Sequence, residues 1–227
     1  MIGVVFAMQD ELDAFLALCE DGVTARDRRP LIHRCTLAGQ AAALVLSGVG
    51  KTNAAHATSC LIAEGVTTLI SVGVAGGVET DIGTVVIPSR VFYHDVDATD
   101  FGTYRLGQVP GMPAFFECDR SLHARAVEAA EEAGATWTGG SLTTGDAFLK
   151  ETTRLALFED TYPDLRAVDM ESAAIAHVAH LENLPFLVIR TVSDKVGAPS
   201  QTTDYASFMK DAARRSATIL AKVMTGR

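Results

Sequence analysis

Short apolar runs rich in Val, Ile and Leu alternate with longer stretches whose apolar positions recur at helical spacing along the chain. That alternation is the pattern of an α/β fold. The runs predict strands over Ile2–Ala7, Leu31–Leu37, Ala42–Leu46, Thr68–Val72, Thr84–Tyr93, Thr138–Thr143, Ala167–Asp169 and Phe186–Thr191. Several lack a polar face, as strands covered by helices on both sides do. The intervening stretches predict helices over Glu11–Leu18, Asn53–Glu64, Ser121–Ala133, Glu171–Leu181 and Tyr205–Met224. Asp119 or Ser121 caps the third of these and Gly134 stops it. Leu31–Leu37 and Ala42–Leu46 flank Ala38-Gly39-Gln40 and read as a hairpin, which makes the sheet mixed. There is no Pro- or Ser-rich linker and no internal repeat, so one domain over residues 1–227 is expected. Two irregular segments, Asp95–Phe116 and Lys195–Asp204, are long enough to suggest functional loops.

Composition narrows the classes. The formal charge is −9, from 19 Lys plus Arg against 28 Asp plus Glu. An acidic chain is poorly suited to nucleic-acid phosphates or an anionic membrane surface, both of which recruit Lys and Arg. No apolar run approaches the ~20 residues of a membrane span. Met1–Met8 has no basic flank and meets Gln9-Asp10-Glu11 at once, which argues against a signal peptide. The four cysteines, Cys19, Cys35, Cys60 and Cys118, are widely spaced without a CxxC, and read as reduced thiols of a cytoplasmic protein.

Three segments imitate known motifs. Gly48-Val49-Gly50-Lys51-Thr52 resembles the end of a phosphate-binding loop, but Val45 stands where its first glycine belongs. Gly73-Val74-Ala75-Gly76-Gly77 has Ala75 where a dinucleotide fingerprint needs glycine. It reads as a tight turn or as a place where backbone N–H groups approach a ligand closely. His94-Asp95-Val96-Asp97 has metal-type ligands but no second cluster to complete a site, so no metal is expected.

Charged residues gather at strand ends. Glu11 follows the first strand, Asp169 and Glu171 bracket Met170 at the end of another, and Arg190 and Asp194 lie at and just beyond the end of Phe186–Thr191. In open α/β sheets ligands bind outside the carboxyl ends of the strands. Singly, each residue has a structural explanation: Glu11 and Glu171 suit first helical turns, and Asp194 suits a loop cap. Their common placement points to a site.

Eight segments then occur in order: Ala7–Leu12, Ser47–Lys51, Gly73–Gly77, Tyr93–Asp97 with Phe101-Gly102, Gly107–Gly111, Thr144–Phe148, Val168–Ala174 and Arg190–Asp194. Together they resemble the 5′-methylthioadenosine/S-adenosylhomocysteine nucleosidases of the nucleoside phosphorylase superfamily, from Ile2 to about Leu220. The resemblance implies a three-layer α/β/α fold with a central twisted mixed β-sheet, a homodimer, no cofactor, and hydrolysis of an N-glycosidic bond to release adenine and a 5-thioribose. Such a reaction needs one acid to protonate the departing base at N7 and one base to activate water.

By this resemblance Asp194 is the acid, oriented by Ser193, and Glu11 activates the water, which Arg190 helps to hold. Glu171 accepts the ribose hydroxyls, Met170 packs on the sugar, and Gly76 lies against the nucleoside. Phe148 stacks on adenine while the Leu149 backbone reads its N6/N1 edge. Met8, Val49 and Tyr205 line the alkylthio slot, and Phe101, Tyr104 and Pro110 of the partner subunit complete it. The Phe101–Gly107 stretch is one residue longer than the commonest version. Val74 stands where Ser or Thr is common, and Asp169 where Glu is more frequent. The further candidate substrates are 5′-deoxyadenosine and 6-amino-6-deoxyfutalosine. Two other readings stay open: a phosphate-dependent purine nucleoside phosphorylase, and a non-catalytic nucleoside-binding protein. Against the first, Ile70-Ser71-Val72 lacks the phosphorylases' Arg, and Met8–Glu11 replaces their Gly-Asp-Pro…Arg segment. Against the second, both Glu11 and Asp194 are present.

Overall fold

A computed structural model describes residues 1–20, 24–26, 30–37 and 39–225. Among them the strands are β1 Ile2–Phe6, β2 Thr24–Arg26, β3 Ile32–Leu37, β4 Gln40–Leu46, β5 Thr68–Gly77, β6 Val85–Val86, β7 Arg90–Tyr93, β8 Phe116–Glu117, β9 Trp137–Thr138, β10 Ser141–Thr144, β11 Leu165–Asp169 and β12 Phe186–Lys195. The helices are α1 Gln9–Leu16, α2 Lys51–Ala63, α3 Arg120–Glu132, α4 Thr153–Ala156, α5 Ser172–Leu181 and α6 Gln201–Thr225. All described strands join one sheet, ordered β2-β3-β4-β1-β5-β11-β10-β7-β8, with β12 pairing β5 and β6, and β6 pairing β9. The sheet is mixed: β1, β4, β5 and β12 run parallel, whereas β3–β4 and β5–β11 are antiparallel. No helix among the described residues is long and apolar enough to cross a membrane.

Strand alternation sends neighbouring side chains to opposite cores. Val5, Val45, Leu69 and Val188 pack with Leu61 of α2 and Ile175 of α5. Val4, Leu44, Ile70 and Leu187 pack with Phe15 of α1, Ala130 of α3 and Leu220 of α6. Three layers result, which is why the central strands read as continuous apolar runs.

The differences from the sequence reading have local causes. Thr84–Tyr93 is two strands, because Pro88 has no N–H to donate and the chain changes partners there: β6 pairs with β9 and β12, and β7 with β10 and β8. Thr138–Thr143 is broken at Gly139-Gly140, where Gly140 has φ +97° and its added Cβ would strike the Asp164 carbonyl. The glycine segment Gly73–Gly77 is not a turn but the second half of β5, held by β12 and at its end by β11. Correspondingly β12 continues through Lys195 and α6 begins at Gln201, so the predicted Lys195–Asp204 loop shrinks to residues 196–200. The short elements β2, β8 and α4 carry too few residues for any period. Asp119, rather than Ser121, caps α3 by accepting from the Leu122 N–H at 2.9 Å. The β3–β4 hairpin forms as expected, with Ala38 of its turn outside the described residues. The four cysteines are free thiols, with the sulfurs of Cys19 and Cys35 2.8 Å apart.

Candidate active site

A cavity of about 240 Å³ opens at the carboxyl ends of β1, β5, β11 and β12. Its lining includes Met8, Glu11, Val49, Val74, Gly76, Phe148, Leu149, Met170, Glu171, Ser193, Asp194 and Tyr205. Arg190, the remaining member of the predicted set, lies behind this wall. Phe101, Tyr104 and Pro110 lie elsewhere on the chain; Phe101 is 75% exposed and meets Tyr104 edge-on.

Glu11 is fixed from three directions. It reaches back from the first turn of α1 so that Oε2 accepts from the N–H groups of Ala7 and Met8, each at 3.0 Å. That return bond resembles the acidic half of a capping box. Its Oε1 accepts from the Val74 N–H at 3.0 Å. Burial pushes the Glu11 carboxyl above its ordinary value, opposed by the Arg190 charge and then by these three donors. Gly73 is what admits the carboxylate: a Cβ there would strike Oε1. Gly73→Ala should therefore displace Glu11 and lower kcat by about 10²-fold, since small misplacements of reacting groups have effects of that order. Activity assays paired with thermal melts check this; wild-type turnover in a folded variant would refute it.

Behind Glu11 and Glu171 lies a buried ion pair. The Arg190 Nε and Nη2 both approach Asp169 Oδ2 at 3.0 Å. Nη2 also donates to Ser71 Oγ at 2.7 Å, and Nη1 to its own neighbour's carbonyl, that of Ile189, at 3.1 Å. Asp169 in turn accepts from Thr144 Oγ1 at 2.6 Å and from the Ser172 hydroxyl and N–H. Such a pair is tolerable in the interior only when its remaining polar atoms are satisfied. One guanidinium thus faces Asp169, Glu171 and Glu11. Burial first, and then repulsion from Asp169, push Glu171 up to about 7, although Arg190 and the Gly50 N–H at 2.9 Å favour its charged form. The Tyr205 phenol is raised by burial and by the charges of Glu11, Asp194, Glu171 and Asp10. It donates to Met8 Sδ at 2.9 Å and meets Phe148 edge-on at 5.9 Å.

Asp194 owes its place to a bulge. The β5–β12 register shifts between Val192 and Asp194, and the extra residue lets Ser193 and Asp194 both reach the cavity. Ser193 Oγ donates to Asp194 Oδ1 at 2.6 Å. Sequence reasoning missed Gln201, whose Nε2 donates to Asp194 Oδ2 and to the Leu149 carbonyl, both at 2.9 Å. Its position seven residues beyond Asp194, in a predicted loop, carried no signal. Asp169, which the sequence places at a strand end beside Met170 without assigning it a role, also lines the cavity. His94 is buried, neither ring nitrogen has a hydrogen-bond partner among the described residues, and its ring packs against Gly145.

The sequence profile of the Phosphorylase superfamily matches residues 1–225. A 5′-methylthioadenosine/S-adenosylhomocysteine nucleosidase of Bacillus cereus is 36% identical over 227 residues, covering 98% of this chain and 97% of the relative. The nucleosidase of the same name from Neisseria meningitidis, solved in complex with methylthio-immucillin-A, superposes with a TM-score of 0.94 at 36% identity, over 100% of this chain and 99% of the other. Futalosine hydrolase of Helicobacter pylori superposes with a TM-score of 0.92 at 26% identity, over 100% of this chain and 97% of the other.

Proposed function

The chain belongs to the phosphorylase superfamily, among its 5′-methylthioadenosine/S-adenosylhomocysteine nucleosidases, and from that premise we propose how its cavity hydrolyses the N-glycosidic bond of those nucleosides. The carrying observation is the Glu11 carboxylate held at the cavity wall by three backbone donors. A fixed carboxylate accepts a proton from water and repels phosphate. Phosphorolysis would instead need a guanidinium free to grip phosphate. Arg190 is engaged by Asp169 and Ser71, and among the described residues no Lys or Arg lines the cavity.

Water attacks the anomeric carbon as the C–N bond breaks. Its proton passes to Glu11, and Asp194 delivers a proton to adenine N7, with Ser193 fixing the other carboxyl oxygen. The base lies between Phe148 and the Gly76 strand, with its amino edge at the Leu149 backbone. Met170 underlies the sugar with Val74 near it, and Met8, Val49 and Tyr205 form the alkylthio slot. Positive charge developing on the ribose is favoured by Glu171 and Glu11, which outnumber the single guanidinium behind them. Arg190 acts through Asp169 and through the charge it presents to Glu11 and Glu171. We read residues 1–227 as one domain of a cytoplasmic homodimer in which the exposed Phe101, with Tyr104 and Pro110, completes the site of the other copy. The test is adenine release from methylthioadenosine with and without phosphate: equal rates support hydrolysis, and release only with phosphate would reverse the assignment. Running methylthioadenosine, S-adenosylhomocysteine, 5′-deoxyadenosine and 6-amino-6-deoxyfutalosine side by side ranks the substrates.

Glu171 gives this scheme a pH signature. Its carboxyl stands near 7 in the folded protein, above its unfolded value, so unliganded stability decreases as pH rises through that range. The ribose hydroxyls need the charged form as acceptor, so substrate affinity rises over the same interval. KM for methylthioadenosine should fall several-fold from pH 5.5 to 8, and Glu171→Gln should show a high, flat KM. A Glu171→Gln profile that kept the wild-type slope would remove Glu171 from that role.

A further inference from the structure

Gln201 is a polar side chain only 4% exposed, set in the first turn of α6 and forming part of the cavity wall. Its amide is fully used. One Nε2 hydrogen goes to the Leu149 carbonyl and one to Asp194 Oδ2, while Oε1 accepts from the Gly197 N–H at 3.2 Å. The two acceptors come from different elements, the segment after β10 and the end of β12, and both face the cavity where the base is to lie. A primary amide presents two in-plane N–H bonds beside an acceptor. The amino edge of an aminopurine presents the same arrangement.

We infer that the Gln201 amide is an internal stand-in for the edge of the base: its Nε2 holds the Leu149 carbonyl, which the base's amino group takes on entry, and Asp194 Oδ2, which then turns from acceptor to donor toward N7. This rests on Asp194 and Leu149 being the adenine contacts. Two consequences follow from the geometry. With Gln201 in place, the Oδ2 that must present a proton to the base instead accepts one from Nε2, so entry of the base and release of the acid are a single exchange. The acceptors are also never left bare, which spares the unliganded site two unpaired buried groups. Gln201 is thus a positioning residue that competes with the base, not a brace that remains beside it.

Competition and bracing predict opposite signs. For Gln201→Ala, the inhibition constant of free adenine and the KM for methylthioadenosine should both fall about 3- to 10-fold, the scale of one net hydrogen bond, while kcat does not rise. The unliganded protein should melt lower than wild type, and adenine should raise its melting temperature by more. Gln201→Asn, one methylene too short to bridge both acceptors, should shift affinity in the same direction and serves if the alanine variant folds poorly. In a crystal structure with adenine bound, Nε2 should have left both Leu149 and Asp194. Weaker or unchanged adenine binding in both variants, or an amide still on both acceptors beside bound adenine, would overturn the stand-in while leaving hydrolysis intact. A wild-type protein that neither released nor bound adenine would overturn both.

Discussion

Asp194→Asn is expected to lower kcat for methylthioadenosine by about 10³-fold, within the range ascribed to positioned general acids. The substitution preserves shape, and the asparagine carbonyl can still accept from Ser193, but an amide has no acidic proton to transfer. Adenine would then have to depart as an anion. Among the described residues Asp194 is bound by Ser193 and Gln201; the asparagine amino group would meet the Gln201 Nε2 donor and turn that side chain away, a local change after which adenine should still bind. A second substrate separates chemistry from misfolding: a 5-methylthioriboside carrying p-nitrophenolate departs without protonation, and its hydrolysis should suffer far less. Equal losses on both substrates would mean that Asp194 shapes the pocket rather than acting as the acid.

The candidate site was legible where chemistry and strand ends coincide in the sequence. Glu11, Glu171 and Asp194 each follow a short run that reads as a strand, and the folded chain brings all three to one cavity. What escaped depended on tertiary contacts. Gly73–Gly77 contains three glycines and reads as a turn, yet it is strand because β12 lies beside it. There the absence of a Cβ at Gly73 serves the Glu11 carboxylate rather than a backbone reversal. Ser193 and Asp194 share a cavity only through a bulge, which breaks the alternation that sequence periodicity relies on. Gln201 lies in a stretch with no period, and only the folded chain brings its amide to Asp194. The layered architecture was easier to read, because two-sided burial leaves continuous apolar runs in β1, β4, β5 and β12.

Glu11→Gln is expected to be comparably severe, again about 10³-fold in kcat, for a different physical reason. The native carboxylate offers acceptors to three backbone donors: Oε2 to Ala7 and Met8, and Oε1 to Val74. A glutamine can face only one of those sets with its oxygen; its amino group must meet the other donor head-on. The variant therefore loses the base and also some stability, and a melting temperature a few degrees lower is expected. Glu11→Ala removes that ambiguity. It leaves a small space beside the three donors that a formate ion fits, and added formate should restore part of the lost turnover if the carboxylate acts on water. The pH profile provides a further discrimination. Because burial raises the Glu11 carboxyl, wild-type kcat should fall on the acid side as the base takes up a proton, and that limb should vanish in both variants. Persistence of the limb, together with no response to formate, would shift the water-activating role away from Glu11. The Arg190–Asp169 pair behind it would then be the next element to test, because the Arg190 charge opposes the upward shift of both Glu11 and Glu171.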